Sequence, residues 1–143
     1  MPIVTPDVEG HLITRLVALA PSYFVLTPVL QRNVWPGPEQ PPGGSILTKC
    51  SFVQWYTEDR ELFYGGQGRY FRCQIFRRFG RDGWGPTGRA GAMTEMRAVY
   101  DAVHLSGEFT VSGTSYLDIR AIDAPVEVQP YAMALNVNVW HRG

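Results

Sequence analysis

Two long segments in which apolar and polar residues alternate constrain the fold of this chain more than any other feature. In RYFRCQIFRRF, residues 69–79, one side of an extended strand would carry the apolar residues. That side holds Phe71, Cys73, Ile75 and Phe79, and the opposite side holds Arg72, Gln74 and Arg78. The segment ILTKCSFVQWYTED, which begins at Ile46, predicts a second strand. The acidic and then glycine-rich connection over residues 57–68 predicts that the two strands are antiparallel neighbours.

The flanking segments predict two helices and further strands. Residues 5–21 predict a helix that Thr5 caps and Pro21 ends. Its apolar stripe consists of Val8, Leu12, Leu16 and Leu19. AMTEMRAVYDAVHL, residues 92–105, predicts a second helix. Its buried stripe consists of Met93, Met96, Tyr100 and Val103. The last third predicts two strand pieces broken at residues 123–125 and one alternating strand over residues 131–140.

The span NVWPGPEQPPGGS, residues 33–45, predicts a long loop. Its four prolines and three glycines exclude a helix or a central strand. Residues 23–30 before it, with Pro28, predict an edge strand or a broken strand. The whole pattern predicts one α+β domain over residues 1–143: a mostly antiparallel sheet with two α-helices packed on one face, and long loops.

The charge balance excludes some classes of partner. Lys and Arg together number 13, and Asp and Glu together also number 13. A neutral chain lacks the excess of basic residues on which nonspecific nucleic-acid binding depends. Glu9, His11 and Arg15 interrupt the apolar residues near the N-terminus, where the order of a signal peptide is also missing. We therefore predict no membrane partner and folding in a cytoplasm.

The residues that carry catalysis or hold metals form no recognisable set. His11, His104 and His141 are far apart in the sequence and match no triad or metal motif. Cys50 and Cys73 lack the spacing of a redox pair or of metal ligands. The sequence therefore predicts neither an enzyme nor a resident metal or cofactor.

One glycine pattern offers an alternative of another class. Gly83, Gly85 and Gly88 have the G-x-G-x-x-G spacing of a dinucleotide-binding loop. Pro86 removes one backbone N–H from that loop, and the strand before it is predicted to be antiparallel, which the dinucleotide fold does not allow. We therefore interpret the loop as a connection into the second helix, and a small nucleotide-binding module is the less favoured alternative.

The distribution of charge suggests pairing between copies of the chain. Six arginines crowd into one strand and the loop after it: Arg69, Arg72, Arg77, Arg78, Arg81 and Arg89. The chain after residue 90 contains six acidic residues and three arginines. A molecule with a basic flank and an acidic flank can bind its copies head to tail and close a ring. Ordinary solvated charges are the alternative interpretation.

The order of these segments resembles that of the tail-terminator (minor tail) proteins of long-tailed bacteriophages. The resemblance is carried by the helix at residues 6–20, by NVWPGPEQPP, by RYFRCQIFRRFGRDGWGPTGRAGAMTEMRAVYDAVH and by DAPVEVQPYAMALNVNVWHR. It spans nearly the whole chain and depends on the order of elements, without a diagnostic motif. The arginine-rich strand at residues 69–79 and the aromatic-rich WYTEDRELFY depart from the family pattern.

The resemblance implies a structural virion protein, located in the tail or neck. Such proteins form a hexameric ring that caps the head-proximal end of the tail tube, ends tube polymerisation and docks the tail to the head connector. The implied partners are further copies of the chain, the tail tube protein and the head–tail connector protein, while DNA passes through the lumen without sequence-specific binding. A head-completion, connector or tail-tube protein is the neighbouring alternative.

On this basis we expect two sets of contact residues. The subunit seam would contain Arg69, Arg72, Arg77, Arg78, Arg81 and Trp84. The loops that face the lumen, the tube or the connector would contain Trp35, Glu58, Asp59 and Glu61.

Overall fold

The computed structural model describes residues 6–24, 33–36, 50–63, 66–79, 84, 88–129 and 131–141. Over these residues the chain forms two helices and seven strands. In chain order they are α1 (Val8–Leu19), β1 (Asn33–Pro36), β2 (Cys50–Phe63), β3 (Gly66–Arg78), α2 (Gly88–Val103), β4 (Phe109–Val111), β5 (Thr114–Ala121), β6 (Val126–Gln129) and β7 (Ala132–His141). The predicted α+β class is confirmed.

A long hairpin of β2 and β3 forms the middle of the molecule. The two strands are antiparallel, as predicted, and they pair from Cys50 opposite Arg78 to Phe63 opposite Gly66. The predicted connection over residues 57–68 is wrong, because both strands continue through most of it. Acidic residues and glycines weaken a strand only slightly, and a partner strand in register outweighs that local preference.

The strand order across the sheet is β1-β2-β3-β7-β5-β4, and β6 pairs with β7. All neighbouring strands are antiparallel except β1 and β2, which are parallel. Residues 33–36, predicted as loop, form β1 at one edge of the sheet, where Pro36 is tolerated because an edge strand needs fewer N–H donors. The predicted break at residues 123–125 is confirmed, since β5 and β6 pair with successive parts of β7.

Both helices pack on the same face of the sheet, as predicted. α1 contacts β1, β2 and β4, whereas α2 contacts β5 and β7. The buried stripe of α1 consists of Val8, Leu12, Ile13 and Leu16. That of α2 consists of Ala92, Met96, Val99 and Val103, so the predicted Met93 and Tyr100 lie at its margin and are half-buried. Each large side chain buried here contributes about 1.5–3 kcal/mol of hydrophobic stabilisation.

The alternation predicted for the last strand is confirmed. Met133, Leu135, Val137 and Val139 of β7 point into the core below the helices. The opposite face of the sheet, called the open face here, carries a smaller buried cluster of Phe52, Phe76, Ala132 and Ala134. Among the described residues, no helix is long and apolar enough to cross a membrane.

Each helix begins at a residue with a specific backbone role. The carboxylate of Asp7 caps α1 by accepting a hydrogen bond from the Gly10 N–H at 3.2 Å, whereas the predicted cap, Thr5, lies outside the described residues. α2 begins at Gly88, whose φ of 57° is in the left-handed region that favours glycine. The other two glycines of the dinucleotide-like pattern, Gly83 and Gly85, lie outside the described residues.

The cap of α1 yields a direct test of this local structure. We expect Asp7→Ala to lower the free energy of unfolding by about 1 kcal/mol, because the side-chain acceptor at the N-terminus is lost. Asp7→Asn keeps an acceptor oxygen and serves as the matched control. Urea denaturation followed by circular dichroism would measure both variants. Equal stability of Asp7→Ala and wild type would contradict the capping role.

Candidate functional site

The residues predicted to form a subunit seam do not share one surface. Four of them, Arg69, Arg72, Arg77 and Arg78, lie on β3, where successive side chains point to opposite faces of the sheet. Arg81 lies outside the described residues. The structure therefore separates a set that sequence reasoning had grouped by proximity along the chain.

Arg77 is buried in the core between the sheet and the helices, with 1% of its surface exposed. Its Nε donates a hydrogen bond to Glu95 Oε2 at 2.8 Å. Its Nη1 donates to the carbonyl oxygen of Tyr23 at 2.8 Å and to Ser51 Oγ at 2.9 Å. These partners belong to the turn after α1, to β2 and to α2, so one guanidinium joins β3 to three other segments.

Aromatic rings enclose the same guanidinium. The carbon at its centre lies 5.6 Å from each of three ring centroids, those of Tyr23, Phe24 and Phe79. A buried cation is stable when hydrogen-bond acceptors and aromatic faces replace its water. The prediction that Arg77 lies at a subunit seam is therefore corrected, because groups of the same chain enclose its guanidinium. Its position in phase with Phe71, Cys73 and Ile75 was the sequence signal for this burial.

Arg69 and Glu58, predicted for two different surfaces, bind each other. Arg69 Nε lies 2.5 Å from Glu58 Oε1, and Nη2 lies 2.9 Å from Oε2, which makes the pair bidentate. The guanidinium also lies over the ring of Phe71 at 5.2 Å. The pair closes the region where the β2–β3 hairpin leaves the rest of the sheet, so both residues have a role within the subunit.

Arg72 and Arg78 occupy the open face, as the alternation predicted. Arg72 is exposed and pairs in register with Asn138 of β7, which in turn pairs with the exposed Arg120 of β5. Arg78 is half-buried beside Phe52, and burial lowers the pKa of its guanidinium. Among the described residues, the accessible arginines of this face are therefore Arg72 and Arg120. Arg120 was missed because its strand carried no arginine cluster.

Trp84 packs within the subunit. Its ring meets those of Phe79 and Tyr131 edge-on, with centroid distances of 5.8 Å in both cases. It also lies beside Gly88, where a Cβ atom would be 3.5 Å from the indole nitrogen. Trp84 is half-buried, and this packing accounts for the covered part of its side chain.

The remaining predicted residues lie on strands. Trp35 is on β1, opposite Phe52 of β2. Asp59 and Glu61 lie within β2, and the same is true of Glu58, so their predicted position at the hairpin tip is corrected. β2 continues to Phe63, four residues beyond Asp59. The side chains of Trp35, Asp59 and Glu61 lie outside the part of the chain that the structure describes.

A cluster of titratable side chains was missed by the sequence analysis because its members are far apart in the chain. His11 Nδ1 and the Tyr116 hydroxyl are joined by a hydrogen bond of 2.7 Å. His141 meets the ring of Tyr116 edge-on at 5.5 Å, and its buried Nδ1 has no hydrogen-bond partner among the described residues. Burial raises the pKa of Tyr116 and raises that of Cys73 to about 12, so the phenol and the thiol stay protonated near neutral pH.

Exposed apolar side chains form a second feature that the sequence analysis missed. Ile122, Val126, Val128 and Tyr131 lie in and around β6, and each is exposed. We call these four residues the β6 patch. Glu127, between the two valines, lies on the helix side of the sheet, as Tyr131 does beside Trp84. It forms an ion pair with Arg89 of α2, and this contact lowers the pKa of the carboxyl. The alternation in VEVQ does not by itself predict whether the valines or Glu127 would be exposed.

Two further features bear on binding. Within the described part of the chain, no group of three or more His, Cys, Asp or Glu residues is placed to hold a metal ion. An open cleft of about 290 Å³ lies between α2 and the β5–β6 connection. It is lined by Arg97, Tyr100, Asp101, Ala124 and Pro125. Its walls combine one cation, one carboxylate and apolar surface.

No known protein-family model matches this chain, and no curated protein is significantly similar to it.

The burial of Arg77 predicts a large effect on stability. We expect Arg77→Met to lower the free energy of unfolding by about 3–5 kcal/mol, because a buried charge pair with Glu95 and the hydrogen bonds to Ser51 and Tyr23 are broken. Arg72→Met is the matched control: it changes the same residue type on the same strand, but at an exposed position. We expect the control to change stability by less than about 0.5 kcal/mol. Chemical denaturation would measure both, and similar effects would contradict the structural role of Arg77.

The environment of His141 predicts a pH effect. Burial, assisted by Arg69, lowers the pKa of His141 in the folded state, while Glu58 opposes this shift. The unfolded chain therefore binds the proton more readily, and the folded state loses stability as the pH falls below about 6.5. We expect His141→Phe to remove part of this loss. Unfolding free energies of both proteins from about pH 7 to about pH 5 would show it, and identical slopes would contradict the assignment.

Proposed function

We propose that this chain is a structural subunit of a bacteriophage tail. In this proposal six copies form a ring that caps the head-proximal end of the tail tube, ends tube polymerisation and docks the tail to the head connector. The order of elements supports it: a helix, a proline-rich segment, a long hairpin, a second helix and paired strands follow one another as in the tail-terminator proteins that the sequence resembles. The subunit would act by contact alone, within the virion, after folding in the host cytoplasm.

The observation that carries the proposal is the reach of the β2–β3 hairpin. Within the described residues β3 pairs with β7 from Arg69 onward, whereas its pairing with β2 starts at Gly66. Residues 61–63 and 66–68 therefore pair with each other and with no third described strand. A two-stranded ribbon is marginally stable in water by itself. A contact with a neighbouring protein would stabilise it.

The hairpin also has a stable base from which to make such a contact. The bidentate pair of Arg69 and Glu58 crosses between its two strands. Trp55 meets Phe71 edge-on at 5.7 Å on the core side. The backbone N–H of Trp55 donates to a carboxylate oxygen of Glu9 in α1 at 2.8 Å. A rigid base and a projecting tip suit a subunit that must reach the tail tube or the connector.

Shortening the hairpin tests the proposal. Arg60 and Arg69 are paired in register, so residues 61–68 can be replaced by Asn-Gly, which forms a two-residue hairpin turn. We expect this variant to fold with the stability of the wild type and to lose its ability to cap tail tubes. The pair of Arg69 and Glu58 is retained, so the base of the hairpin stays intact. Electron microscopy of tail tubes mixed with either protein would measure the fraction of capped ends.

Three results would count against the proposal. Normal capping by the shortened variant would remove the role given to the hairpin. Wild-type protein that never binds tube ends would overturn the terminator function. Wild-type protein that grows into long tubes by itself would identify a tube subunit instead.

A further inference from the structure

The exposed apolar surface of the subunit is concentrated beside one edge strand. Among the described residues, six large apolar side chains are exposed, and four of them form the β6 patch. Their exposed fractions are 42% for Ile122, 46% for Val126, 43% for Val128 and 38% for Tyr131. Single exposed apolar residues are ordinary, but adjoining ones mark an interaction surface. Ile122 lies beside Asn136 of β7, and Val126 lies beside Ala134, two residues away on the same strand.

One backbone edge of β6 is unpaired among the described residues. Within them β6 pairs only with β7, so the backbone groups on its other side are open. β6 has four residues, a register shift between Glu127 and Gln129, and an inward-pointing Glu127 that binds Arg89. These features limit edge pairing to a short matching strand. The exposed Val126 and Val128 therefore lie on a strand whose open edge can accept such a partner.

The opposite edge of the same sheet offers a strand that fits. Among the described residues β1 is the last strand on that side, and it has four residues, the same length as β6. The pairings fix the direction of each strand relative to β1. β2 and β7 run in the same direction as β1, whereas β3 and β6 run in the opposite direction. In a ring whose axis lies along the strands, all copies point the same way. β6 of one copy beside β1 of the next would therefore pair antiparallel.

From these observations we propose that β6 of one subunit pairs antiparallel with β1 of the next and that the β6 patch is the apolar part of this seam. The contact joins two different surfaces, so it is the head-to-tail kind that closes a ring. Pro36 has no N–H, which confines the pairing on β1 to Asn33–Trp35. This inference rests on the proposed ring and replaces Arg77 as a seam residue.

A first experiment removes the apolar part of the seam. We expect the double variant Val126→Lys, Val128→Lys to stay folded, because both side chains are already exposed, and to lose hexamers in native mass spectrometry, with or without tail tubes. Leu105→Lys is the matched control: Leu105 is 56% exposed but lies on the connection from α2 to β4. We expect this control to assemble like the wild type. Normal rings from the double lysine variant would overturn the seam.

A second experiment tests which surfaces meet. In a Cys50→Ser background, Asn33→Cys and Gln129→Cys are combined in one chain and treated with a flexible bismaleimide, whose reach tolerates a small register slip. Cys73 is buried and its pKa is raised to about 12, so its thiol does not compete. We expect a ladder of linked species up to six subunits from the double-cysteine chain and none from either single-cysteine chain.

The outcomes separate the seam from the proposed function. Dimers from Gln129→Cys alone would show a two-fold contact between identical edges and would overturn the head-to-tail seam. Rings without any ladder would also overturn it, while leaving the terminator function intact. A full ladder from rings that never cap tail tubes would support the seam and end the terminator proposal. No assembly under any condition would overturn both.

Discussion

The arrangement of this subunit depends on the buried guanidinium of Arg77. It lies on the core side of β3 and binds the turn after α1, Ser51 of β2 and Glu95 of α2. These groups come from three segments that are distant in sequence, so a single side chain fixes how the hairpin and both helices sit together. Removing an arginine from water is unfavourable unless acceptors and aromatic rings surround it. That requirement makes the arrangement specific, because few other placements of the helices would satisfy the same charge.

Placing both helices on one face leaves the sheet with an open face, and among the described residues β6 pairs on one side only. The hairpin extends beyond the sheet at one end, and the β6 patch lies beside one edge. They share a physical explanation if the chain is completed by its neighbours, since strand edges and apolar patches become buried on assembly. The ring proposed for this protein would use both features, the hairpin toward the tail and β6 toward the next copy.

Sequence reasoning succeeded where the local pattern and the tertiary environment agreed. The hairpin, both helices and the alternating strand β7 were predicted from periodicity alone. It failed at the ends of elements: residues 57–63 were interpreted as a connection and residues 33–36 as loop, because composition there favours turns. It also failed for Arg77, which was grouped with neighbouring arginines by charge. The phase of Arg77 within the alternation would have placed it in the core, where an arginine is rare enough to be overlooked.

The sequence by itself determined which segments are strands and helices and which side of each is apolar, because these follow from periods of 2 and 3.6 residues. Only the tertiary structure decided which charges meet. Arg69 binds Glu58 across the hairpin, Arg89 binds Glu127 of β6, and Arg77 binds Glu95 of α2. It also decided which apolar side chains stay exposed, as at β6. The reason is that pairing and burial depend on which strands become neighbours, and neighbours in the sheet are remote in the chain.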